Sequence, residues 1–405
     1  MTREEIYTQC VEKIAKTNCL LLEAATGTGK TKCSIDLVNY LLSSKWYTNK
    51  KQINILILVA KRVHKQTWKD EIDKWGGINH PTAYINICME CYESLKNHCK
   101  ERWDIVLADE VHHIGSDARL ELFKTVSFGY FIGLSATIPQ KLKQLFRYRY
   151  HSEVVSCDII EAIEDEILPE PQILLFPLIL DNRNPTESWE VNPKAGGKIV
   201  YGEYKDYWKL KRQRVHAFIS MTQKQKLMEY DKLIAWEKNK YMQTRHEGMK
   251  QSWLFHSGKR LEFLAYCKNQ IVSDILRKLD KHRTITFCKT IEQSELLGRN
   301  CIHSQNKDAD SIYDDFNKKK INHITAVNIL NENANLVDCQ YGIFANISSS
   351  EICIPQRLGR LLRHKNPVVI IPYYVNTREE EVVKDKMIVN FKKESIKVIH
   401  SIQEI

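Results

Sequence analysis

AATGTGKT, at residues 24–31, is the stretch that decides the fold of this chain of 405 residues. The apolar run CLLL at 19–22 precedes it, and residues 33–42 follow with apolar side chains at helical spacing, so the pattern predicts strand, loop and helix. In that context two glycines let backbone N–H groups and the helix N-terminus close on phosphate oxygens. We therefore predict a phosphate-binding loop, with Lys30 reaching the β- and γ-phosphates of a nucleotide and Thr31 as a ligand of Mg²⁺.

The first 150 residues alternate strand-like and helix-like segments, which is typical of a parallel sheet covered by helices. The predicted strands are 20–22, 53–59, 84–88, 105–108 and 130–134. A further strand at 173–179 and a loop at 181–197 follow, and then a long polar segment with helical spacing. Strands return at 284–288, 323–327, 342–345 and 368–374. The fold class is therefore α/β, with four parts: 1–152, a connection at 153–204, a helical insertion at 205–280, and a second α/β domain at 281–405.

Two carboxylates end the predicted strand at 105–108, in the stretch WDIVLADEVH at 103–112. Ligands bind at the carboxyl ends of parallel strands. We expect Asp109 to hold Mg²⁺ and Glu110 to orient or deprotonate the attacking water. The small hydroxyl residues Ser135 and Thr137 follow the next strand, where they either sense the carboxylates or cap a turn.

The stretch QRLGRLLR at 356–363 carries Arg357, Arg360 and Arg363 at a spacing that places them on one helix face. Leucines between them predict that this helix is partly buried. Arginines directed at a γ-phosphate stabilise the charge that develops in phosphoryl transfer, whereas the alternative is a solvated basic face.

Positive charge is concentrated in residues 205–283, which hold 19 lysines and arginines against 8 acidic residues, in a chain of net charge +10. A local basic excess is typical of proteins that bind polyanions, although a solvated helical surface is the alternative. Trp208, Trp236 and Trp253 lie in this segment. We expect them to form the core of the insertion in preference to stacking on bases.

The 12 cysteines are scattered, several of them in predicted core strands, as in a chain kept in a reducing compartment. One cluster, Cys88, Cys91, His98 and Cys99, has ligand types that zinc prefers but no second pair at finger spacing, so its metal binding is left open. No apolar run is long enough for a membrane span and no signal peptide is evident. We expect a cytoplasmic protein, in a nucleoid or the cytosol of a virus's host.

Taken together, the motifs resemble those of superfamily 2 helicases of the DEAD/DEAH-box type, in the branch with XPB, UvsW, RadD and the type III restriction subunits. The resemblance covers most of the chain, and its order is Gln9, AATGTGKT, DEVH, SAT and QRLGRLLR. The segments at 58–71 and 91–95 also resemble that branch, the second of which favours a structural reading of the cysteine cluster. The resemblance implies two RecA-like domains that bind ATP and Mg²⁺.

Residue roles follow from the resemblance in the same way. It implies ATP contacts at Gln9, Thr26, Gly27, Thr28, Gly29, Lys30 and Thr31. It implies catalytic roles for Lys30, Asp109, Glu110, Gln356, Arg360 and Arg363, coupling roles for His112, Ser135 and Thr137, and metal ligation by Thr31 and Asp109. Nucleic-acid contacts are expected at Lys61, Arg62, Tyr92 and Arg260.

These expectations describe an ATP-dependent helicase or translocase that acts on nucleic acid, with DNA favoured over RNA. The alternatives are an RNA helicase, a duplex translocase and an ATP switch. We expect no membrane partner. The motifs are compatible with a protein partner such as a nuclease or a replication or repair factor, and with a monomeric state.

Overall fold

The computed structural model describes residues 1–44, 47–98, 101–327, 336–347, 353–389 and 391–405. These residues form two compact units. The first unit takes the described residues within 1–171, 336–340 and 353–367, and the second takes those within 172–327, 341–347 and 368–405. The chain therefore returns to the first unit after it has begun the second.

The first unit is built on a six-stranded parallel sheet. Its strands are β1 (Cys19–Ala24), β2 (Gln52–Val59), β3 (Tyr84–Cys91), β4 (Arg102–Asp109), β5 (Ser127–Ser135) and β6 (Glu153–Cys157). Its first helices are α1 (Arg3–Ile14), α2 (Lys30–Leu42), α3 (Arg62–Lys74), α4 (Asp117–Phe123), α5 (Gln140–Tyr150) and α6 (Ile159–Glu164), with 3-10 turns at Tyr92–Asn97 and Val111–Gly115. The strand order is β3-β2-β4-β5-β1-β6.

Strands β2 and β4 lie inside this sheet and are apolar at consecutive positions, because helices cover both faces of a parallel sheet. The side chains of Phe123, Phe131 and Phe146 meet in one aromatic cluster of the core, with ring centroids 5.1–5.6 Å apart. The packed core fixes the carboxyl ends of β1, β4 and β5 next to one another, and the sequence motifs follow these strands.

The second unit contains a seven-stranded parallel sheet and a separate sheet of three strands. The strands are β7 (Gln172–Leu178), β8 (Glu187–Val191), β9 (Val200–Glu203), β10 (Ala217–Met221), β11 (Thr284–Phe287), β12 (Cys301–Ile302), β13 (His323–Ala326), β14 (Tyr341–Ile343), β15 (Val368–Tyr374) and β16 (Ile396–Val398). The large sheet has the order β12-β13-β11-β14-β15-β7-β16, and the small sheet has the order β8-β10-β9.

The remaining helices follow in chain order. They are α7 (Tyr207–Arg212), α8 (Gln223–Thr244), α9 (Glu247–Cys267), α10 (Asn269–Lys278), α11 (Ile291–Leu297), α12 (Ala309–Asn317), α13 (Cys353–Leu361) and α14 (Arg378–Val382). Short turns lie at Tyr204–Asp206, Val383–Met387 (π-helical), Lys393–Ser395 and Ile402–Glu404. Helix α13 lies between β14 and β15 in the chain, yet it belongs to the first unit.

The two parallel sheets confirm the α/β fold class, and two details of the sequence prediction are wrong. Strand β8 lies in the stretch expected as a loop at 181–197, and β10 interrupts the expected helical insertion at 205–280. In β10 buried and partly exposed residues alternate, and its buried side chains pack with Val191 and Tyr207 into a small core. Alternation over only five residues is a short signal, and the helical pattern around it is much longer.

Helices α8 and α9 form a long hairpin, and the three tryptophans of this region do not form its core as a group. Trp208 is 53% exposed and Trp236 is 54% exposed, so the expectation of burial is wrong for both. Trp253 is half-buried, with its ring centroid 6.2 Å from that of Tyr241. Within the described residues, none of the helices combines the length and the apolar character that crossing a membrane requires.

Candidate active site

The loop between β1 and α2 has the geometry that a phosphate cradle needs. Gly27 and Gly29 have φ values of +97° and +98°, in the left-handed region that glycine adopts without strain. Gly29 is the N-cap of α2, so the first-turn N–H groups begin directly after the loop. Thr28 is buried and its hydroxyl donates to the carbonyl of Ala25 at 2.8 Å, which closes the loop. Thr26 is also buried, and Thr31 is half-buried in the first turn of α2.

Lys30 folds back over this loop. Its Nζ donates to the carbonyls of Ala24 and Ala25, at 2.6 and 3.1 Å. Burial lowers the pKa of Lys30 to about 8, against the opposing effect of Glu110 and Asp109, and nearby positive charges add to the lowering. The ammonium group therefore lies within electrostatic reach of both carboxylates.

A cavity of about 340 Å³ opens beside the loop and is lined by residues of α1 and α2. Arg3 and Tyr7, one helical turn apart, are among its lining residues, and Arg3 donates through Nε to the carbonyl of Thr28 at 3.2 Å. Gln9, expected to contact adenine, does not line the cavity. Its amide lies 3.2 Å from the sulfur of Met1.

Asp109 is held from two sides by residues outside its own motif. The indole N–H of Trp68 donates to Oδ2 of Asp109 at 3.0 Å, and the hydroxyl of Tyr92 donates to its main-chain carbonyl at 2.6 Å. Both donors are 2% exposed. Burial raises the pKa of Tyr92 well above its usual value, so its phenol stays protonated and keeps donating.

Glu110 lies in a network with His112 and Ser135, two of the three predicted coupling residues. Its Oε2 accepts from the hydroxyl of Ser135 at 3.0 Å and lies 3.3 Å from Nδ1 of His112, which is itself 3.0 Å from that hydroxyl. Burial alone would raise the pKa of Glu110, but His112, Lys30 and Ser135 together bring it below its ordinary value. The backbone of Glu110 has φ = +53°, a strained conformation for a residue other than glycine.

Glu23, at the end of β1, joins the phosphate loop to the segment after β5. Its carboxylate accepts from the backbone N–H of Ile138 at 2.7 Å and from Nζ of Lys143 at 2.5 Å. Thr137 directly precedes Ile138, and its N–H donates to the hydroxyl of Ser135 at 3.3 Å. These contacts tie the end of β1 to the segment after β5.

Helix α13 and the residues directly after it place the predicted arginines near the phosphate loop. An ideal Cβ at Gly359 would lie 2.6 Å from Cβ of Thr26 and 3.0 Å from its carbonyl oxygen, so this helix touches the phosphate loop through a glycine. Arg357 and Arg360 are buried and Arg363 is exposed. The charges of Arg360 and Arg363 act on Lys30. The side chain of Gln356 lies outside the described part of the chain.

The four residues predicted to contact nucleic acid fall into different surroundings. Lys61 and Arg62 are exposed at the start of α3. Tyr92 is buried against Asp109, so its prediction as a nucleic-acid contact is wrong. Arg260 donates to Asp231 at 2.6 Å and joins α9 to α8, with 17% of its side chain exposed, so that surface role is not supported either.

Sequence reasoning did not assign a role to Arg3, Tyr7, Glu23 or Trp68. The signal for Arg3 and Tyr7 was present, since an i, i+4 pair on a helix just before the phosphate loop shares a face. The roles of Glu23 and Trp68 depend on contacts over 115 and 41 residues of chain, and no local pattern announces them.

Two family models match the chain. Residues 2–140 match the type III restriction enzyme res subunit, and residues 267–365 match the helicase conserved C-terminal domain. No curated protein sequence gives a significant match.

Two solved structures illustrate the likeness in fold. A variant of S. cerevisiae Dbp5 bound to RNA and ADP BeF3 superposes with a TM-score of 0.59 at 10% identity, over 98% of this chain and 89% of that one. The ATP-dependent type ISP restriction-modification enzyme LlaBIII bound to DNA gives 0.59 at 13% identity, over 99% of this chain but 31% of that enzyme. At these identities the likeness shows the fold: two α/β domains with parallel sheets.

Proposed function

Because the chain belongs to the superfamily 2 helicases, in the branch of the type III restriction subunits, we propose that it is an ATP-driven helicase or translocase acting on DNA. Helicase domains imply nucleotide hydrolysis in general. The observation that carries the proposal is that Asp109, Glu110, Arg360 and Arg363 all act electrostatically on Lys30 at one phosphate loop.

The donor set supports binding of a magnesium nucleotide. Carboxylate and hydroxyl oxygens suit Mg²⁺, and Asp109 and Thr31 supply one of each. When bound, the ion neutralises phosphate charge. Lys30 and the first-turn N–H groups of α2 would hold the phosphates, and the cavity beside Arg3 and Tyr7 has room for the base and ribose.

Glu110 is suited to act as the base toward water. Its lowered pKa keeps the carboxylate ionised at neutral pH, and contacts of Ser135 and His112 with Oε2 fix the orientation of the carboxylate. Arg360 and Arg363 would stabilise the negative charge that develops on the transferred phosphoryl group. This division of tasks is that of phosphoryl transfer, which relies on positioned charge.

The choice of DNA rests on the matched branch, and the basic segment of the second unit supports binding to a nucleic acid of either kind. Exposed Trp208 and Trp236 provide aromatic faces, and Lys211 lies 5.1 Å from the ring of Trp208. Lysines neutralise phosphates without reading sequence, and exposed rings stack on unpaired bases. An RNA helicase is the second candidate, since the Dbp5 structure with the same fold is bound to RNA. A duplex translocase or ATP switch that works with a partner is the third.

The test is steady-state ATP hydrolysis without nucleic acid and with single-stranded DNA, duplex or forked DNA, and RNA. Glu110→Gln serves as the blank, since it keeps the shape of the side chain but cannot accept a proton. We expect stimulation by DNA and no turnover in the variant. Stimulation by RNA alone would move the protein to the second candidate. Turnover by folded Glu110→Gln would refute the role of this residue.

The basic segment has its own test, which is the salt dependence of nucleic-acid binding. If lysines of α8 and α9 neutralise phosphates, the logarithm of the binding constant falls linearly with the logarithm of salt concentration. Replacing Trp236 by Ala, with half-buried Trp253 as the comparison, separates stacking from charge. A binding constant that does not change with salt would contradict this surface as the contact.

A further inference from the structure

Three side chains with metal-binding atoms meet at the edge of the first unit's sheet. One ligand atom each of Cys88, Glu90 and His98 lies within 4.8 Å of the others. Cys88 and Glu90 are alternate residues of the edge strand β3, so both side chains leave the same face of the sheet. His98 directly follows the 3-10 turn Tyr92–Asn97, and its ring lies beside the side chains on that face.

This cluster is not the one that the cysteine spacing suggested. Cys91 lies three residues after Cys88 on the same strand, so its side chain leaves the opposite face, and it is buried. Cys99 lies outside the described residues. The ligand set is therefore one thiol, one carboxylate and one imidazole.

A second observation points to a metal. Nδ1 of His98 lies 3.1 Å from Oε2 of Glu101. Metal-binding imidazoles are held in this way, because a carboxylate that accepts from one ring nitrogen orients the other toward the ion. His98 is also mostly shielded from solvent, with 14% of its side chain exposed.

We propose that Cys88, Glu90 and His98 bind a zinc ion, with Nε2 of His98 as the imidazole ligand and Glu101 as the residue that positions it. Sulfur, nitrogen and oxygen donors together are typical of zinc sites, and a thiolate disfavours Mg²⁺ and Ca²⁺. Water completes the fourth position. Lys65 holds Oε2 of Glu90 at 3.0 Å, so zinc takes the other carboxylate oxygen.

Zinc at this position ties β3 to the residues after the turn. That turn begins with Tyr92, whose hydroxyl donates to Asp109. The ion thus stabilises a segment that supports the active site, and it takes no part in hydrolysis. The inference does not depend on the proposed activity.

The test uses Co²⁺ as a coloured probe on the full chain, freed of metal by a chelator and without nucleotide. A thiolate ligand gives an intense near-ultraviolet charge-transfer band that oxygen ligands at the nucleotide site do not. We expect one equivalent of Co²⁺ to produce this band in the unmodified chain and in Cys267→Ser, a half-buried cysteine elsewhere. Cys88→Ser and His98→Asn lose it. Glu101→Gln weakens binding about 10- to 100-fold.

Zinc added to the same samples gives an independent readout. We expect zinc to raise the melting temperature of the unmodified chain and of Cys267→Ser. The melting temperature of His98→Asn should not change. Absence of the cobalt band from the unmodified chain would overturn the proposal, as would a band that persists in both Cys88→Ser and His98→Asn. If Cys88→Ser does not fold, His98→Asn and Glu101→Gln decide the outcome.

Discussion

Asp109 depends on an indole N–H that is supplied by a different helix. Trp68 of α3 donates to Oδ2 of Asp109 in a buried position, which removes the freedom of the carboxylate to rotate. A positioned carboxylate binds a metal ion better than a mobile one, because the side-chain entropy has already been lost on folding and is not lost again on binding.

Trp68→Phe tests this contact, since it keeps an apolar ring and removes only the donor. We expect the Mg²⁺ concentration at half-maximal ATP hydrolysis to rise about 10- to 100-fold, the range found when partners of metal ligands are lost. Trp75→Phe is the control, because Trp75 follows the same helix and its indole N–H bonds to Glu71. Equal Mg²⁺ dependence in both variants would contradict the role of Trp68.

Lys30 gives the protein a pH dependence that its motif alone does not predict. Its pKa of about 8 means that a neutral amine replaces the ammonium group in a growing fraction of the nucleotide-free protein above pH 8. Bound phosphate favours the charged form, so binding above that pH must take up a proton.

We therefore expect the contribution of Lys30 to ATP affinity to be nearly constant below about pH 7, where its side chain is protonated. It should fall as the pH rises above about 8, by up to tenfold per pH unit. Titration with a fluorescent ATP analogue at several pH values measures this affinity. Lys30→Arg is the control, since a guanidinium does not titrate in this range and its affinity, even if weaker, should lack that slope. The same slope in both proteins would refute this assignment.

Helix α13 illustrates how one element can belong in sequence to one unit and in space to another. It is framed by β14 and β15 of the second unit's sheet, but it packs in the first unit, where Gly359 lies against Thr26. The close approach is what brings the charges of Arg360 and Arg363 to bear on Lys30.

Gly359→Ala should disrupt this contact, because its Cβ would meet backbone and side-chain atoms of Thr26 at 2.6–3.3 Å. We expect ATP hydrolysis to fall at least tenfold, and stability to fall by about 1–3 kcal/mol, the usual cost of overpacking. Gly258→Ala in α9 is the matched control. Apart from its chain neighbours and the backbone of its own helix, no atom of the described residues lies within 4 Å of its added Cβ. Alanine also favours the helix by about 1 kcal/mol. An unaffected ATPase in Gly359→Ala would show that the close approach is dispensable.

At the scale of the whole molecule, each unit has its own sheet and core. The second unit also contains a buried ion pair. Nζ of Lys268, between α9 and α10, lies 2.6 Å from Oε1 of Glu379 in α14, and the two side chains are 0% and 2% exposed. Glu379 also accepts from the backbone N–H of Tyr374 at the end of β15. The pair therefore joins the base of the helical hairpin to the central sheet.

Lys268→Met should destabilise the second unit by about 3–5 kcal/mol, because it leaves the carboxylate of Glu379 buried without its cation. Adding Glu379→Gln should recover a large part of that loss. Urea unfolding measures it, with Lys259→Met as the control, since Lys259 pairs with Glu262 at the surface and such pairs contribute about 0–1 kcal/mol. A loss in Lys268→Met no larger than in the control would contradict the argument.

Prediction from sequence succeeded where the signal is local. Each apolar run expected as a strand in the first 150 residues is a strand of the sheet, and the glycines of the phosphate loop have the left-handed conformation that their motif requires. It failed for β8 and β10, which are short and stabilised by pairing with each other. It failed for Tyr92 and Trp236 because whether an aromatic side chain is buried depends on what packs over it.

The sequence by itself determined the α/β class and the residues of the phosphate loop, because backbone conformation and apolar periodicity are encoded over a few neighbouring positions. Only the tertiary structure decided which residues hold Asp109 and that α13 packs against the phosphate loop. It alone decided that Glu90, and not Cys91, meets Cys88 and His98. These contacts join distant parts of the chain, and packing of the sheets and helices determines which distant residues meet.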